Sequence, residues 1–293
     1  MFRLLWFLFL SVIHQQSFAE PSYITFPSDI HWVVRESQHF QILFREGQDA
    51  FAARTLKAAE QAHHLLTSIF DQSPPKTWIV LADFQDATNG YALDFPYPHF
   101  VIFAAPPDAV GQLSALDDWL SSVVLHEYVH VLQLYPAGGM WKIMRAVFGS
   151  WVVPNGMMPS HFHEGIATFF ETHFTRQGRG KGTSFGMFRR KAVQAHAWGK
   201  QFAPPDLFDG GASRWPHGTS PYFFGYWLYE ELWSRKGAPG FRDLTSSYSS
   251  NWPYFLNIPL KEVYGTTYSN LWLEIFEKGE QAARKEIEDI KKE

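Results

Sequence analysis

Short continuous apolar runs and longer stretches of helical apolar spacing follow one another along the chain, separated by proline, glycine and asparagine. His39 to Phe44, Thr77 to Ala82 and His99 to Ala104 have strand length and strand composition. Thr77 to Ala82 is nearly unbroken in its apolar character, as a central strand is. Phe95 to Pro98 carries two prolines and suits the approach to an edge strand. His99 to Ala104 is therefore expected either as an edge, open to an extended peptide by strand addition, or as a core strand. Asn89-Gly90 marks a turn. Ala50 to Phe70, rich in Ala and Leu, predicts a helix that ends before Asp71-Gln72-Ser73-Pro74-Pro75.

A second helix is predicted over Trp119 to Leu134, where Trp119, Leu120, Val123, Val124, Tyr128, Val131 and Leu132 leave little of the circumference polar. Ser114 and Asp117 resemble a capping box at its start, and Pro136 closes the run. Met140 to Trp151 is apolar except for Lys142 and Arg145; core packing is expected, with a lid or a membrane contact as the alternatives. Ser160 is placed as the N-cap of a helix that carries Glu164, Thr168 and Glu171 on one face. Gln177 to Gly186 reads as a flexible loop. Phe188 to Trp198 reads as a helix whose Arg189, Arg190 and Lys191 lie on a solvated face, and Ala203 to Pro216 reads as a loop. Ser220 to Lys236 is an aromatic-rich helix, Phe241 to Ser250 and Leu260 to Phe276 complete a helical end, and Lys278 to Glu293 is its charged, solvated tail. The order is that of an α+β fold: an N-terminal mixed β-sheet part over residues 20–115, helices over 116–200, and a helical C-terminal subdomain over 201–293.

Composition narrows the function. With 293 residues, 46% of them hydrophobic, the chain can bury a substantial core. A net charge of −4 argues against nucleic acid as partner, so the Arg179-Gly180-Lys181-Gly182 run is not expected to bind it. The absence of cysteine excludes disulfides and cysteine metal clusters. Residues 1–19 read as a signal peptide: Arg3 is the charged start, Leu4 to Ile13 the apolar stretch and Ser17-Phe18-Ala19 the cleavage signal. That stretch is shorter than the ~20 residues a spanning helix needs. An exported protein, periplasmic or secreted, is expected, with no transmembrane segment in the mature chain.

The chemistry centres on His126-Glu127-Tyr128-Val129-His130, an H-E-x-x-H stretch inside the apolar helix. Positions i and i+4 project from nearly one face, so His126 and His130 can hold one metal ion, with Glu127 within reach of its water. Zinc chemistry needs these groups: imidazole ligands, an ion that lowers the pKa of its bound water and polarises a carbonyl, and a carboxylate base. Two His and a Glu in a buried helix are costly without a partner, and a metal supplies one. A third protein ligand is required; Glu164 is the best candidate, His161 and His163 compete with it, and composition does not choose among them. Glu171, two turns beyond Glu164, could accept a hydrogen bond from the metal-free nitrogen of a ligand histidine.

H-E-x-x-H followed by Glu164-Gly165-Ile166-Ala167-Thr168-Phe169-Phe170-Glu171 resembles the gluzincin metallopeptidases, closest to exported bacterial peptidase-MA-like proteins often fused to TolB-type propellers. Asn89-Gly90-Tyr91-Ala92 and the stretch through Gln133 are similar to that group as well; His161 stands where an aromatic is usual, and no propeller is present in this sequence. The resemblance, over roughly Gln41 to Gly237, implies a zincin-like fold, Glu164 as third ligand, Glu171 as support, and Tyr222 of Tyr222-Phe223-Phe224-Gly225 as donor to the oxyanion. The expected function is that of an exported zinc metallopeptidase with one Zn²⁺ per chain. Its water would be activated by Glu127 and its substrate a peptide or protein. The alternatives are a zinc hydrolase of non-peptide amides or esters, or a non-catalytic zinc-stabilised protein that binds an envelope partner.

Overall fold

The computed structural model describes residues 26–292 other than 85, 87, 108–117, 198–216 and 254. The segment read as a signal peptide, the predicted Ser114 and Asp117 cap and the predicted Ala203 to Pro216 loop lie outside the described residues. The fold is α+β: one mixed five-stranded sheet and, among the described residues, eight helices.

The strands are β1 (Trp32–Glu36), β2 (Phe40–Arg45), β3 (Thr77–Ala82), β4 (Gly90–Leu93) and β5 (His99–Phe103), in the order β1-β2-β3-β5-β4. β2 to β3 and β3 to β5 are parallel, while β1 and β4 close the two edges antiparallel. Of the two expectations for His99 to Ala104, the core strand holds and the edge does not: β5 lies between β3 and β4, and the edge beside it is β4. Only four residues long and opened by a glycine, β4 has too little apolar alternation to stand out from the Asn89-Gly90 turn. β1 escaped for the opposite reason, since its side chains are half-buried or exposed and follow no pattern.

Helix α1 (Asp49–Phe70) is the crossover between β2 and β3 and ends at Phe70 as predicted, where Asp71 turns left-handed at φ 52°. α2 (Trp119–Leu134) matches its predicted range; its N-cap is Asp118, whose side chain accepts from the Ser121 N–H at 3.2 Å. The sheet face formed by Phe40, Ile42, Phe44, Ile79, Leu81, Phe100 and Ile102 packs into one core with α1 and α2. Within that core the Tyr128 hydroxyl meets His63 Nδ1 at 2.7 Å and ties α2 to α1.

α3 (Gly139–Phe148) follows, and here the expected core packing is overturned: Trp141 is its only buried residue, and a short 3₁₀ turn over Gly149–Trp151 extends the exposure. α4 (Ser160–Phe174) begins at Ser160, with Pro159 in the cap position and no side-chain cap bond, so the N-cap assigned to Ser160 does not form. α5 (Thr183–Ala197) starts five residues earlier than predicted, because Gly186 sits inside the helix rather than ending a loop. Arg189 and Arg190 on α5 pair with Glu230 and Glu286, as a solvated face allows. α6 (Ser220–Ser250) joins the two predicted helical stretches, bending at Gly237, whose φ of 57° a side chain would resist. α7 (Asn257–Tyr264) and α8 (Tyr268–Ile290) divide at Gly265. No helix among the described residues is long and apolar enough to cross a membrane.

Candidate metal centre

Two glycine contacts build the floor of the site. Gly165 on α4 and Gly225 on α6 meet backbone to backbone: a Cβ on Gly165 would lie 2.3 Å from Gly225 Cα, and one on Gly225 would lie 2.2 Å from the His161 carbonyl oxygen. Nothing but hydrogen fits at that crossing. It brings Tyr222, one turn before Gly225, against Glu164, one residue before Gly165. α2 crosses the same helix, held by Gln133, whose Nε2 donates to the Phe162 carbonyl at 3.1 Å.

The two helices aim three donor atoms at one point. Glu164 Oε2 stands 3.3 Å from His126 Nε2 and 3.7 Å from His130 Nε2, and one ligand atom of each residue lies within 4.8 Å of the others. A tetrahedral ion with bonds of ~2.0–2.1 Å needs donor atoms about 3.3 Å apart, so the triad can hold a metal ion with little adjustment. The rival ligands face elsewhere. His161 Nε2 bonds the Tyr268 hydroxyl at 2.8 Å, and His163 Nδ1 meets Gln133 Oε1 at 3.2 Å. Burial lowers the pKa of both, of His161 to about 3 and of His163 to about 4, so each packs as a neutral ring.

Glu127 projects from α2 beside the triad, buried, with its Oε2 free of any hydrogen bond among the described residues. Burial raises its pKa, against the pull of His126 and His130. Gly90 makes the room: a Cβ there would stand 2.7 Å from Glu127 Oε1 and 2.9 Å from its Cγ. The glycine of the predicted turn therefore opens the edge strand β4 and forms one wall of the carboxylate's slot.

Behind the triad is a group that the sequence pattern did not reveal. Glu171 accepts from His126 Nδ1 at 3.0 Å, as its spacing suggested, but it also binds Arg179. The Arg179 backbone N–H and Nε reach Glu171 Oε1 at 3.1 and 2.7 Å, and Nη2 reaches Oε2 at 2.7 Å. Nη2 also lies 2.8 Å from His126 Nδ1. With Nε2 turned to the triad, His126 Nδ1 carries a proton, and Nδ1 and Arg179 Nη2 both donate to Glu171 Oε2. The guanidinium carbon stands 4.6 Å from the centre of the Tyr222 ring, which in turn stacks on His126. The loop reading of Gln177 to Gly186 is thus corrected at Arg179, whose side chain is only 10% exposed and is turned onto Glu171. The glycines serve this: a Cβ on Gly178 would stand 2.1 Å from Thr172 Cα, so the chain can double back along α4 only without one. The spacing from Glu171 to Arg179, with glycine on both sides of the arginine, was the available signal.

The charges are mutually dependent. Burial would raise the Glu171 pKa, but the charge and hydrogen bonds of Arg179, then His126, lower it to about 2. Burial and Arg179 both disfavour a charged His126; hydrogen bonds to Glu164 and Glu171, with the Glu127 charge, outweigh them and lift its pKa to about 9. Glu164, whose burial would raise its pKa, is held well below the usual range by His126 and His130. The triad thus holds a proton that a metal ion would displace.

Glu171→Gln should have two separable effects. Metal binding should weaken by ~10–100-fold as His126 loses its acceptor. Stability should fall by about 3–5 kcal/mol, because Arg179 is left buried without its partner. Adding Arg179→Met should recover part of the melting temperature and none of the metal affinity, read by thermal melts and metal titration. A double variant that regains the affinity would show that His126 does not depend on Glu171.

No family model matches the chain, and a comparison with curated proteins finds no match.

Proposed function

We propose that the chain is an exported, single-zinc metallopeptidase with a zincin-like fold. One observation carries this reading: the donor atoms of His126, His130 and Glu164 converge beside a buried carboxylate, Glu127, that has an oxygen with no partner among the described residues. A metal site that only braced the fold would have no use for that group, whose desolvation is costly. Two imidazoles and a carboxylate are a donor set that suits zinc and leaves one position open. When bound, the ion supplies Lewis acidity toward a carbonyl and toward water.

The chain's own residues account for the remainder. Glu127 accepts the proton of the attacking water and returns it to the leaving amine. Tyr222 keeps its hydroxyl proton across neutral pH, since the Glu164 charge and burial both push its pKa up, and it donates to the developing oxyanion. Glu171 and Arg179 hold the His126 ring in one tautomer. β4, with Gly90 against Glu127, is the edge strand of the sheet among the described residues, a position to which an extended peptide can add as a strand, which favours a peptide over a small ester. Residues 1–19, read as an export signal, support a substrate in the cell envelope or outside the cell.

Tyr222→Phe removes one hydroxyl. It should leave metal content and KM nearly unchanged and lower kcat by roughly 10²–10³. Steady-state kinetics on a peptide found by library digestion provide the measurement; a wild-type kcat would move the oxyanion role elsewhere. A panel of esters and non-peptide amides run beside the library tests the substrate class, and turnover confined to that panel would overturn the peptidase reading.

A further inference from the structure

Helix α3 is mounted with its polar group inward and its apolar side outward, the reverse of a surface helix in water. The Arg145 guanidinium turns inward, donating to the Val152 carbonyl at 2.8 Å and to that of Tyr135, with Asp94 at 3.4 Å. Ile143, Val147 and Trp151 face out, 69%, 71% and 66% exposed. Most of the exposed large apolar side chains among the described residues belong to this segment and to two others that touch it, 95–97 and 252–258. Phe95 packs on Trp151 with ring centroids 4.3 Å apart, and Ser150 Oγ donates to the Pro96 carbonyl at 2.6 Å. On the other flank, Trp141 meets Trp252 at 5.1 Å and donates its indole N–H to the Asn251 carbonyl at 2.9 Å. The three segments form one connected apolar face, which a protein stable in water on its own has no reason to keep.

Charge says what covers it. Residues 95–107, 135–159 and 244–260 contain no Asp or Glu, in a chain whose net charge is −4. Lys142 stands on the rim of the face, exposed and without an acidic partner among the described residues. It opens on a recess of about 360 Å³ shared with Gln72, Ser246 and Ser250, roomy enough for a phosphate group. Exposed Trp and Phe, aliphatic residues on one helix face and a lysine at its border are the chemistry of a helix lying in a bilayer interface. A twofold dimer would instead set two copies of Lys142 against a face with no exposed carboxylate in residues 95–107, 135–159 or 244–260 to pair with them.

We propose that this face seats on an anionic phospholipid surface, with Ile143, Val147, Phe148 and Trp151 entering the boundary between headgroups and acyl chains and Lys142 meeting a lipid phosphate. The binding holds the chain beside a membrane without crossing it, and it uses no residue of the metal centre.

The test is co-sedimentation of the full chain with vesicles of phosphatidylcholine alone or with phosphatidylglycerol added. The chain should pellet with the phosphatidylglycerol vesicles, and less well as salt rises. Ile143→Glu with Val147→Glu should cut binding by about tenfold or more, and Lys142→Glu should remove most of the preference for phosphatidylglycerol. Leu273→Glu, at an exposed apolar site on α8 outside the face, should change nothing. All variants share the same N-terminal segment, so the differences report on the face alone. Wild-type chain that stays in the supernatant, or a double variant that pellets like wild type, would overturn the proposal. So would a dimer in sedimentation velocity that the double variant abolishes, with no vesicle binding: that would make the face an interface between copies.

Discussion

Glu127→Gln should keep the fold and the metal and lose turnover by about 10²–10⁴-fold, the range for a positioned acid or base. Glutamine has the size of glutamate and fits the slot against Gly90, and the donor atoms of the triad are untouched. Its amide, however, cannot take a proton. Gly90→Ala reaches the same carboxylate from the other side: its Cβ would fall 2.7 Å from Glu127 Oε1, so the carboxylate must move while His126, His130 and Glu164 stay. Both variants should show wild-type metal content and depressed kcat on a peptide substrate. Undiminished cleavage by Glu127→Gln would remove the base from the account, since the triad leaves no other free carboxylate at that position.

Glu164→Gln should have the second large effect, this time on the metal itself. Its Oε2 is the atom that both Nε2 atoms share, and its negative charge is what balances the ion. Loss of affinity should go well beyond the ~10–100-fold that supporting residues give. His163→Ala should keep the metal, because that ring is turned to Gln133, and His161→Ala should keep it too, because that ring bonds Tyr268. Metal titration of the three variants decides the matter: a metal-free His163→Ala beside a loaded Glu164→Gln would mean that the third ligand is misassigned.

The parts of the site that were legible in sequence are those set by helical spacing alone. His126 and His130 needed only the i, i+4 rule; helical spacing put Glu164 and Glu171 on one face, but the choice of Glu164 over His161 and His163 rested on the family resemblance. α2 could be bounded to the residue because its apolar positions run all round and Pro136 follows. What spacing did not carry was anything fixed by a crossing of elements. Gly165 and Gly225 meet only because α4 and α6 cross there, and Gly90 touches Glu127 only because β4 is laid against α2. Arg179 was hidden by its neighbours: glycines that signal a loop here let an arginine fold back onto Glu171. α3 misled for a simpler reason. An apolar segment is expected to be buried by its own protein, and pattern alone does not say that its apolar side is turned outward.

The most direct measurement is metal content against peptide cleavage on one preparation. Purified chain should carry one zinc per His126, His130 and Glu164 group. A chelator should remove zinc and cleavage of a peptide library together, and added zinc should restore both in proportion. A metal-free preparation that cleaves the library at the full rate would contradict the account.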